Sequence, residues 1–289
     1  MTWVAAVVQG ILLGGLIALF ACGLSLLFGT MKVINLAHGD LAVIGAFLAV
    51  ELVPLIHVPA LLSFVIVVPL FMVLGYVGQR TLLQASLDRG AFTTLLVTFG
   101  LSIVIQNALL EAFSANSRSI DIGSFVSKSV RVNAQLQIAY LSIAIFALAV
   151  VVLLGLQWFL SRTGTGRMIR AVADDPEAAR LVGIDFRHVF AVAASIAFAT
   201  VALAGVAFGM YTSFNFDSGP AWLLFAFEAV VIGGLGSLWG TLIGGIVIGV
   251  AQSIGAQIDP SLQILFGNAV FLLVLLVRPE GLTRGRIEG

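Results

Sequence analysis

Four polar side chains recur at every fourth position of one apolar segment. Within residues 91–113 these positions hold Thr94, Thr98, Ser102 and Gln106. A spacing of four lines them along one slowly rotating face of a helix, and a polar face inside a bilayer must turn away from lipid. Two interpretations are open. The side chains either hydrogen-bond neighbouring helices, which contributes about 1 kcal/mol or less per bond, or they line a route for a polar solute.

A second polar group opens the segment 33–53, where the string NLAHGD contains Asn35, His38 and Asp40 around Gly39. One interpretation is that Asp40 or Asn35 caps a helix that starts near the cytoplasmic face. The other is that Gly39 breaks the helix within the membrane, so that free backbone groups and the His38 imidazole face a translocation path. The residue types leave both interpretations open.

A single carboxylate, Glu228, lies in the short apolar segment 222–234. A carboxylate in an apolar helix needs a hydrogen-bonding or charged partner, or it becomes protonated. Ionisable residues in such a position often mark a transport pathway. Glu228 is therefore a candidate for the pathway.

Five glycines follow Glu228 closely. Gly236, Gly240 and Gly244 recur at a spacing of four, which lets two helix backbones approach each other. Gly233 and Gly234, within the string GGLG, also suit a bend or a re-entrant turn.

The composition indicates which elements must position these side chains. Hydrophobic residues make up 60% of the 289 residues and charged residues 10%, whereas about a quarter of a soluble protein is charged. At about 20 residues per crossing, we predict one all-α, polytopic membrane bundle over residues 1–289, with about eight or nine transmembrane segments and broken or re-entrant helices. The apolar segments lie near 3–28, 33–53, 59–78, 91–113, 136–160, 188–213, 222–234, 237–256 and 261–278.

The distribution of Lys and Arg predicts the orientation. Five of the 14 Lys and Arg residues lie in a polar stretch, residues 161–187, which we call the island. Assigning the island to the cytoplasmic side leaves only Arg118, Lys128 and Arg131 on the other side, in the external loop 114–135. This predicts an external N-terminus, a cytoplasmic C-terminus and an odd number of crossings, nine if 222–234 spans the membrane. The external loop is either solvated or a platform for a partner.

Motifs for catalysis are missing from the sequence. It contains no phosphate-binding GxxxxGK[ST] loop, no HExxH pair and no GxSxG string. Its three histidines are scattered and its single cysteine is Cys22, so no metal site is predicted. With a formal net charge of zero, nothing points to nucleic acid. We expect no enzyme activity and no cofactor in this chain, so any nucleotide would be bound by another subunit.

Within the island, EAA followed by Gly183 resembles the EAA-xxx-G loop of ABC importer permeases. As an ordinary surface helix the same stretch would have Asp175 as its N-cap and Pro176 at its first position. The strings GLSLLFGTMKVINLAHGDLAVIGAF, TFGLSIVIQN, RAVADDPEAARLVGI, FEAVVIGGLGSLWGTLIGG and LLVRPEGL extend the likeness over nearly the whole chain. In this order they resemble the shorter permease subunits of branched-chain amino acid ABC importers.

The resemblance implies an inner-membrane subunit paired with a second, related permease. Two cytoplasmic ATPases and a periplasmic solute-binding protein would complete the importer, and ATP would be used by the partners only. It assigns the HGD string and the Glu228 region to the translocation pathway. It assigns coupling to an ATPase to Glu177, Ala178, Ala179, Arg180 and Gly183. The hydrophobic-x-Leu-Pro end of the wider EAA consensus is missing after Gly183.

Two alternatives remain at this stage. Permeases for urea and short amides resemble the same family, so the substrate is open. An autonomous transporter driven by an ion gradient, with His38, Asp40 and Glu228 relaying protons, would also place ionisable groups inside the membrane. Such a transporter would have no evident need for the EAA-like string of the island.

Overall fold

The structure, a computed structural model, describes residues 3–56, 59–123, 129–133 and 136–283. His57 and three of the charges used for orientation, Lys128, Arg284 and Arg286, lie outside these residues. The described helices are α1 (Trp3–Met31), α2 (His38–Ile56), α3 (Ser63–Gly78), α4 (Gln84–Leu87), α5 (Ala91–Phe113), α6 (Tyr140–Arg162), α7 (Gly164–Asp174), α8 (Pro176–Leu181), α9 (Phe186–Tyr211), α10 (Gly219–Gly233), α11 (Leu238–Ile258) and α12 (Gln263–Val277).

Among the described residues, seven helical stretches are long and apolar enough to cross a membrane. They are Trp3–Met31, Ala60–Leu87, Ala91–Phe113, Tyr140–Arg162, Phe186–Tyr211, Leu238–Ile258 and Pro260–Val277. The second includes a 3₁₀ turn before α3 and a π-helical turn, Gln79–Leu83, that joins α3 to α4. The predicted polytopic helical bundle is therefore confirmed. The span predicted for 59–78 was too short, because the helix continues through the π turn.

The core forms around α1 and α9, the two most enclosed of the long helices. Helix α1 packs antiparallel to α11, with Gly10 against Val250 and Gly14 against Ile246. A side chain at either glycine would collide with the backbone of α11. Helix α9 is rich in buried alanine, and small side chains of this kind let membrane helices approach closely.

Contacts along the helices show how often the chain passes through the bundle. We call the end that carries residues 161–187 the island end and the opposite end the loop end. Helix α1 runs towards the island end, where Gly29 meets Gly236, and each following membrane segment returns in the opposite direction. Two segments pass through as a non-helical stretch followed by a helix: 32–37 with the 19-residue α2, and 212–218 with the 15-residue α10. The described residues thus make nine passes, and the segment predicted as 222–234 passes through.

The loop end contains a small antiparallel sheet that the all-α prediction did not include. Strand β1 (Ser129–Asn133) pairs with β2 (Leu136–Ala139), so α6 begins four residues after the predicted start at 136. Part of the predicted external loop is bound to the bundle. The backbones of Arg118 and Phe214 exchange two hydrogen bonds of 2.8 Å, and Ile120 donates its N–H to the Gly209 carbonyl oxygen.

Candidate functional site

Two helices begin next to each other in the middle of the bundle. Helix α2 begins at His38, whose Nε2 lies 3.0 Å from the Phe20 carbonyl oxygen. Phe20 is 11 residues from the end of α1, or about 16 Å along the helix axis. Helix α10 begins at Gly219, and a side chain on Gly39 would collide with the Gly219 carbonyl. Two helix N-termini, each with a partial positive charge, therefore meet inside the protein.

The break that precedes α2 is not at Gly39. Helix α1 ends where Lys32 adopts a left-handed conformation with φ of 57°, and the chain then turns back into the bundle without helical structure. Gly39 lies in the first turn of α2 and allows the approach of Gly219. The prediction that Gly39 breaks the helix was wrong in its position. Helix α2 starts at depth, beside Phe20, so the predicted helix start near the membrane face was wrong. The capping role predicted for Asn35 agrees with the structure, because its Oδ1 accepts a hydrogen bond from the Ala37 N–H just before the helix.

Asp40 lies where the two helix starts meet, and its carboxylate binds α5. Its Oδ2 accepts a hydrogen bond from Ser102 Oγ at 2.5 Å, and its Oδ1 accepts one from Gln106 Nε2 at 3.1 Å. Gln106 also donates to Ser102 Oγ at 3.1 Å. Asp40 is 1% exposed. The structure thus brings together three of the predicted pathway residues and places a carboxylate at the positive end of two helices.

Three further predicted residues lie one to two helical turns closer to the island end. Thr98 Oγ1 accepts a hydrogen bond from the Leu36 N–H at 3.2 Å, and Asn35 Oδ1 accepts one from the Ala37 N–H at 3.0 Å. Together with Thr94 they line a cavity of about 20 Å³. The polar stripe of α5 therefore turns inward, as predicted, and holds the non-helical segment before α2.

His38 and Glu228 face other neighbours. The His38 ring points to α1, and its Nδ1 has no partner among the described residues. Glu228 is buried in α10, and the side-chain amide of Asn268, with its nitrogen towards α10, donates to Glu228 Oε1 at 3.0 Å. Glu228 Oε2 is buried and has no partner among the described residues, so the predicted need for a hydrogen-bonding partner is met at one of the two carboxyl oxygens. The structure does not bring His38, Asp40 and Glu228 together as a relay.

The glycines after Glu228 serve both predicted purposes. Gly240 packs against Gly233, and Gly244 packs against the carbonyl of Ala229, so α11 closely approaches α10. Gly234 and Gly236 have φ of 102° and 85° and form the bend between these helices. Gly236 therefore lies outside the packed helix face to which its spacing assigned it.

The island folds into two short helices on the end of the bundle. Asp175 is the N-cap of α8, and its Oδ1 accepts hydrogen bonds from the N–H groups of Glu177 and Ala178 at 2.9 and 3.0 Å. Pro176 occupies the first helical position. The predicted cap is confirmed. It satisfies backbone donors that have no partner within the helix.

Helix α8 ends in a Schellman motif centred on Gly183. The Gly183 N–H binds the Arg180 carbonyl and the Ile184 N–H binds the Ala179 carbonyl, at 3.0 and 3.1 Å. Gly183 has φ of 87°, a conformation that favours glycine. No atom of the described chain lies within 4 Å of the position that a side chain would occupy. Gly183 therefore provides the turn but no close contact within the chain.

The predicted coupling residues divide into one anchor and an exposed surface. Ala179 is buried in a cluster with Ile169 and Val172 of α7. Glu177, Ala178, Arg180 and Gly183 are exposed. Two apolar side chains beside them, Leu181 and Val182, are 89% and 77% exposed. An exposed apolar pair on an ordered helix end is typical of a contact surface.

Polar contacts tie the end of the island and the start of α9 to the stretch that runs from the last turn of α3 to Asp88, just after α4. Arg80 pairs with Asp185 at 3.4 Å, and Arg187 pairs with Asp88 at 2.9 Å. Tyr76 Oη lies 2.9 Å from His188 Nδ1. Each exposed ion pair contributes about 0–1 kcal/mol, so these contacts orient the island more than they stabilise the fold.

Some residues at these sites were not predicted. Gln79 opens the π turn after α3 and lines the same cavity as Asn35, and both polar atoms of its amide lack a partner among the described residues. It was not predicted because the apolar segment 59–78 ends one residue before it. Gly245 and Gly249, which face α1, were also missed, although their spacing of four is the same signal that was noted nearby. Among the described residues, no three His, Cys, Asp or Glu side chains come together as a metal site.

Comparison with known proteins finds relatives along nearly the whole chain. The family model described as the permease component of the branched-chain amino acid transport system matches residues 6–277. The high-affinity branched-chain amino acid transport system permease protein BraD of Pseudomonas aeruginosa is 33% identical, covering 97% of this chain and 95% of BraD. LivH of Escherichia coli (strain K12), a permease protein of a system with the same description, is 29% identical, covering 97% and 94%.

Two further similarities are more distant. The fructose import permease protein FrcC of Rhizobium meliloti is 29% identical, covering 63% of this chain and 54% of FrcC. Among solved structures, a chain of PsaBC from Streptococcus pneumoniae in complex with Fab has a TM-score of 0.51 and 12% identity, with coverage of 97% of this chain and 93% of that chain. The structural likeness shows a shared fold alone.

Proposed function

This chain belongs to the family of permease components of branched-chain amino acid transport systems, and from this premise we propose that it forms half of the membrane channel of an ABC importer for branched-chain amino acids. The resemblance predicted from the motifs is confirmed by the family match. The complete importer would contain a second related permease, two cytoplasmic ATPases and an extracytoplasmic solute-binding protein. It would lie in the bacterial inner membrane, with the island end in the cytoplasm.

The coupling proposal rests on the way the structure holds α8 with one side exposed. This helix is capped at both ends by its own chain, and its exposed side carries Glu177, Arg180, Leu181 and Val182. Ala179 anchors the opposite side. An ordered helix with a mixed charged and apolar surface suits insertion into a groove of an ATPase. Glu177, Ala178, Ala179, Arg180 and Gly183 would form this contact, as the resemblance implies.

Movement of the island would reach the membrane helices through two connections. Asp185 caps α9 by accepting hydrogen bonds from the Arg187 and His188 N–H groups, and it also pairs with Arg80 beyond α3. Closure of the ATPases would therefore shift α3 and α9 together as a rigid body, which is a common form of alternating access.

The centre of the bundle is the proposed position of the translocation pathway. The starts of α2 and α10 each carry a partial positive charge, and the Asp40 carboxylate lies beside them. Opposite charges are therefore available within a few residues of each other. These would favour a solute with both an ammonium and a carboxylate group. Asn35, His38, Asp40, Thr94, Thr98, Ser102, Gln106 and Glu228 remain the proposed pathway residues. Asp40, Ser102 and Gln106 have the strongest geometric support.

Other substrates and an autonomous mechanism remain as alternatives. FrcC is named for fructose import, and a urea or short-amide permease would share the same fold. A transporter driven by an ion gradient is less well supported, because the three ionisable residues it would use face different helices.

Co-purification tests the proposal. We expect the chain to co-purify with a nucleotide-binding subunit and to support uptake only with ATP. Glu177→Arg and Gly183→Trp should each insert normally but lower ATPase recovery and uptake by roughly tenfold or more, since loss of one central interface residue costs about 2 kcal/mol or more. Glu111→Arg makes the same charge reversal on an exposed residue of the loop end and should leave ATPase recovery unchanged. Uptake by the purified chain alone would instead support the autonomous transporter.

A further inference from the structure

The loop end of the bundle holds a cavity that the coupling proposal does not use. Its volume is about 270 Å³. It lies among α1, α9, α11 and α12, at the opposite end of the bundle from α8. We call it the loop-end cavity. At about 30 Å³ per water in the liquid, it has room for a small solute rather than for one or two waters.

The polar side chains of this cavity are uncharged and come from all four helices. Gln9 of α1, Tyr211 of α9, Ser253 and Gln257 of α11, and Gln263 of α12 converge on it. Glutamine amides can both donate and accept hydrogen bonds. Within the described ranges, no hydrogen bond to the protein occupies the side-chain amides of Gln9 and Gln263. Their hydrogen-bonding capacity is therefore open to a solute.

The remaining wall is aliphatic. Leu13 and Ala6 of α1 and Ala256 of α11 line it, and none of the lining residues within the described part of the chain is Asp, Glu, Lys or Arg. A solute with a net charge would lose its hydration on entering the cavity and would find no opposite charge there, which costs free energy. A solute without net charge could place its polar groups on the amides and hydroxyls and its apolar part on Leu13. Small-molecule sites commonly combine an apolar wall with a few oriented polar groups.

We propose that the loop-end cavity is an entry site that binds the transported solute before it reaches the middle of the bundle. The site would recognise a zwitterionic aliphatic amino acid. Amide oxygens would accept hydrogen bonds from its ammonium group, and amide and hydroxyl hydrogens would bind its carboxylate. The direction of transport and the solute class rest on the proposed function. The site itself rests on the cavity and its lining.

Labelling of one introduced cysteine tests the site directly. The native Cys22 is fully buried and should not react with a polar maleimide. We would introduce Ser253→Cys inside the cavity and, as a matched control, Ser261→Cys at the same end of the bundle, where Ser261 is exposed and outside the cavity. Each variant would be assembled with its partner subunits in membranes and labelled with L-leucine, L-lysine or acetamide present.

L-Leucine at ten times its dissociation constant should slow labelling of Ser253→Cys about tenfold, by simple occupancy, and leave Ser261→Cys unchanged. Lysine and acetamide should protect neither. Adding Gln9→Leu and Gln263→Leu should remove the protection without changing the elution profile of the complex. No protection by leucine up to its solubility limit, or equal slowing at both positions, would overturn the proposal. Protection by acetamide but not leucine would overturn the amino acid assignment.

ATP-driven uptake, measured on the same preparations, separates this inference from the proposed function. Protection by leucine without any ATP-dependent uptake would support the cavity and contradict the importer. ATP-dependent uptake of leucine without protection at Ser253→Cys would support the importer and contradict the cavity.

Discussion

The island and the meeting point of α2 and α10 are both polar, but they are built in opposite ways. Helix α8 is held by groups within a few residues of itself, namely the Asp175 cap and the Gly183 turn. Asp40 is held by Ser102 and Gln106, which lie 62 and 66 positions further along the chain. Substitutions in the first region should therefore change how the protein works with partners. Substitutions in the second should change whether the bundle folds.

Burial differs in the same way. Leu181 and Val182, just before the Gly183 turn, are largely exposed, whereas Thr98 and His38 are fully buried. A buried polar group without its hydrogen bond costs about 1–3 kcal/mol, while an exposed one can bind water instead. We therefore expect substitutions to lower the stability of the protein most at the centre of the bundle and least in the island.

The largest effect is expected where the two helix starts touch. Gly219→Leu would place a side chain against the backbone nitrogen and carboxylate of Asp40. Neither helix can move away without disturbing its neighbours. The loss of folding free energy should therefore exceed the value typical of overpacking, which is about 1–3 kcal/mol. We expect little folded protein after extraction in mild detergent, measured by size-exclusion chromatography.

Gly100→Leu is the matched control for this substitution. Gly100 is an exposed glycine of α5, and a side chain there would meet no atom of the described chain within 4 Å. This variant should elute like the wild type. An equal yield of folded protein from Gly219→Leu would show that the two helix starts do not meet as described.

A smaller loss is expected when Asp40 loses its carboxylate. Asp40→Leu leaves the buried Ser102 hydroxyl without the acceptor it has in the wild type, while Gln106 keeps its hydrogen bond to Ser102 Oγ. The loss should lower the free energy of unfolding by about 1–3 kcal/mol. Asp40→Asn keeps one oxygen and should cost less. Denaturant titration of the purified protein measures both changes. Ser102→Ala should cost little when added to Asp40→Leu, because its partner is already absent, and full additivity would argue against the contact.

The sequence predicted the island well because the signals there are local. Asp175, Pro176 and Gly183 each act on backbone groups within five residues, so their roles as cap, first helical residue and turn follow from residue type and spacing alone. The same holds for the polar stripe of α5, whose inward orientation follows from the cost of placing polar groups in lipid.

The centre of the bundle could be predicted only in part. The NLAHGD string indicated an irregular helix start, but the position of the break depends on Lys32 and on packing against Phe20 and Gly219, which are distant in sequence. The partner of Glu228 had to be polar, yet nothing in the spacing identified Asn268 on a different helix. Gln79 was missed because a π turn carries the helix further than the apolar segment.

The smallest effect is expected at the cap of α8. Asp175→Ala removes the acceptor of two backbone N–H groups, which costs about 1 kcal/mol and corresponds to about fivefold faster opening of the helix. Hydrogen exchange followed by mass spectrometry should show this in peptides covering 176–184 and leave peptides from α2 and α5 unchanged. Asp174→Ala removes the same charge one residue earlier, where no cap is formed, and should leave exchange in α8 near the wild-type rate. Faster exchange that spread from Asp175→Ala into α5 would mean that the island and the centre are one cooperative unit. Faster exchange that is confined to α8 would show that the coupling surface can open without loosening the bundle.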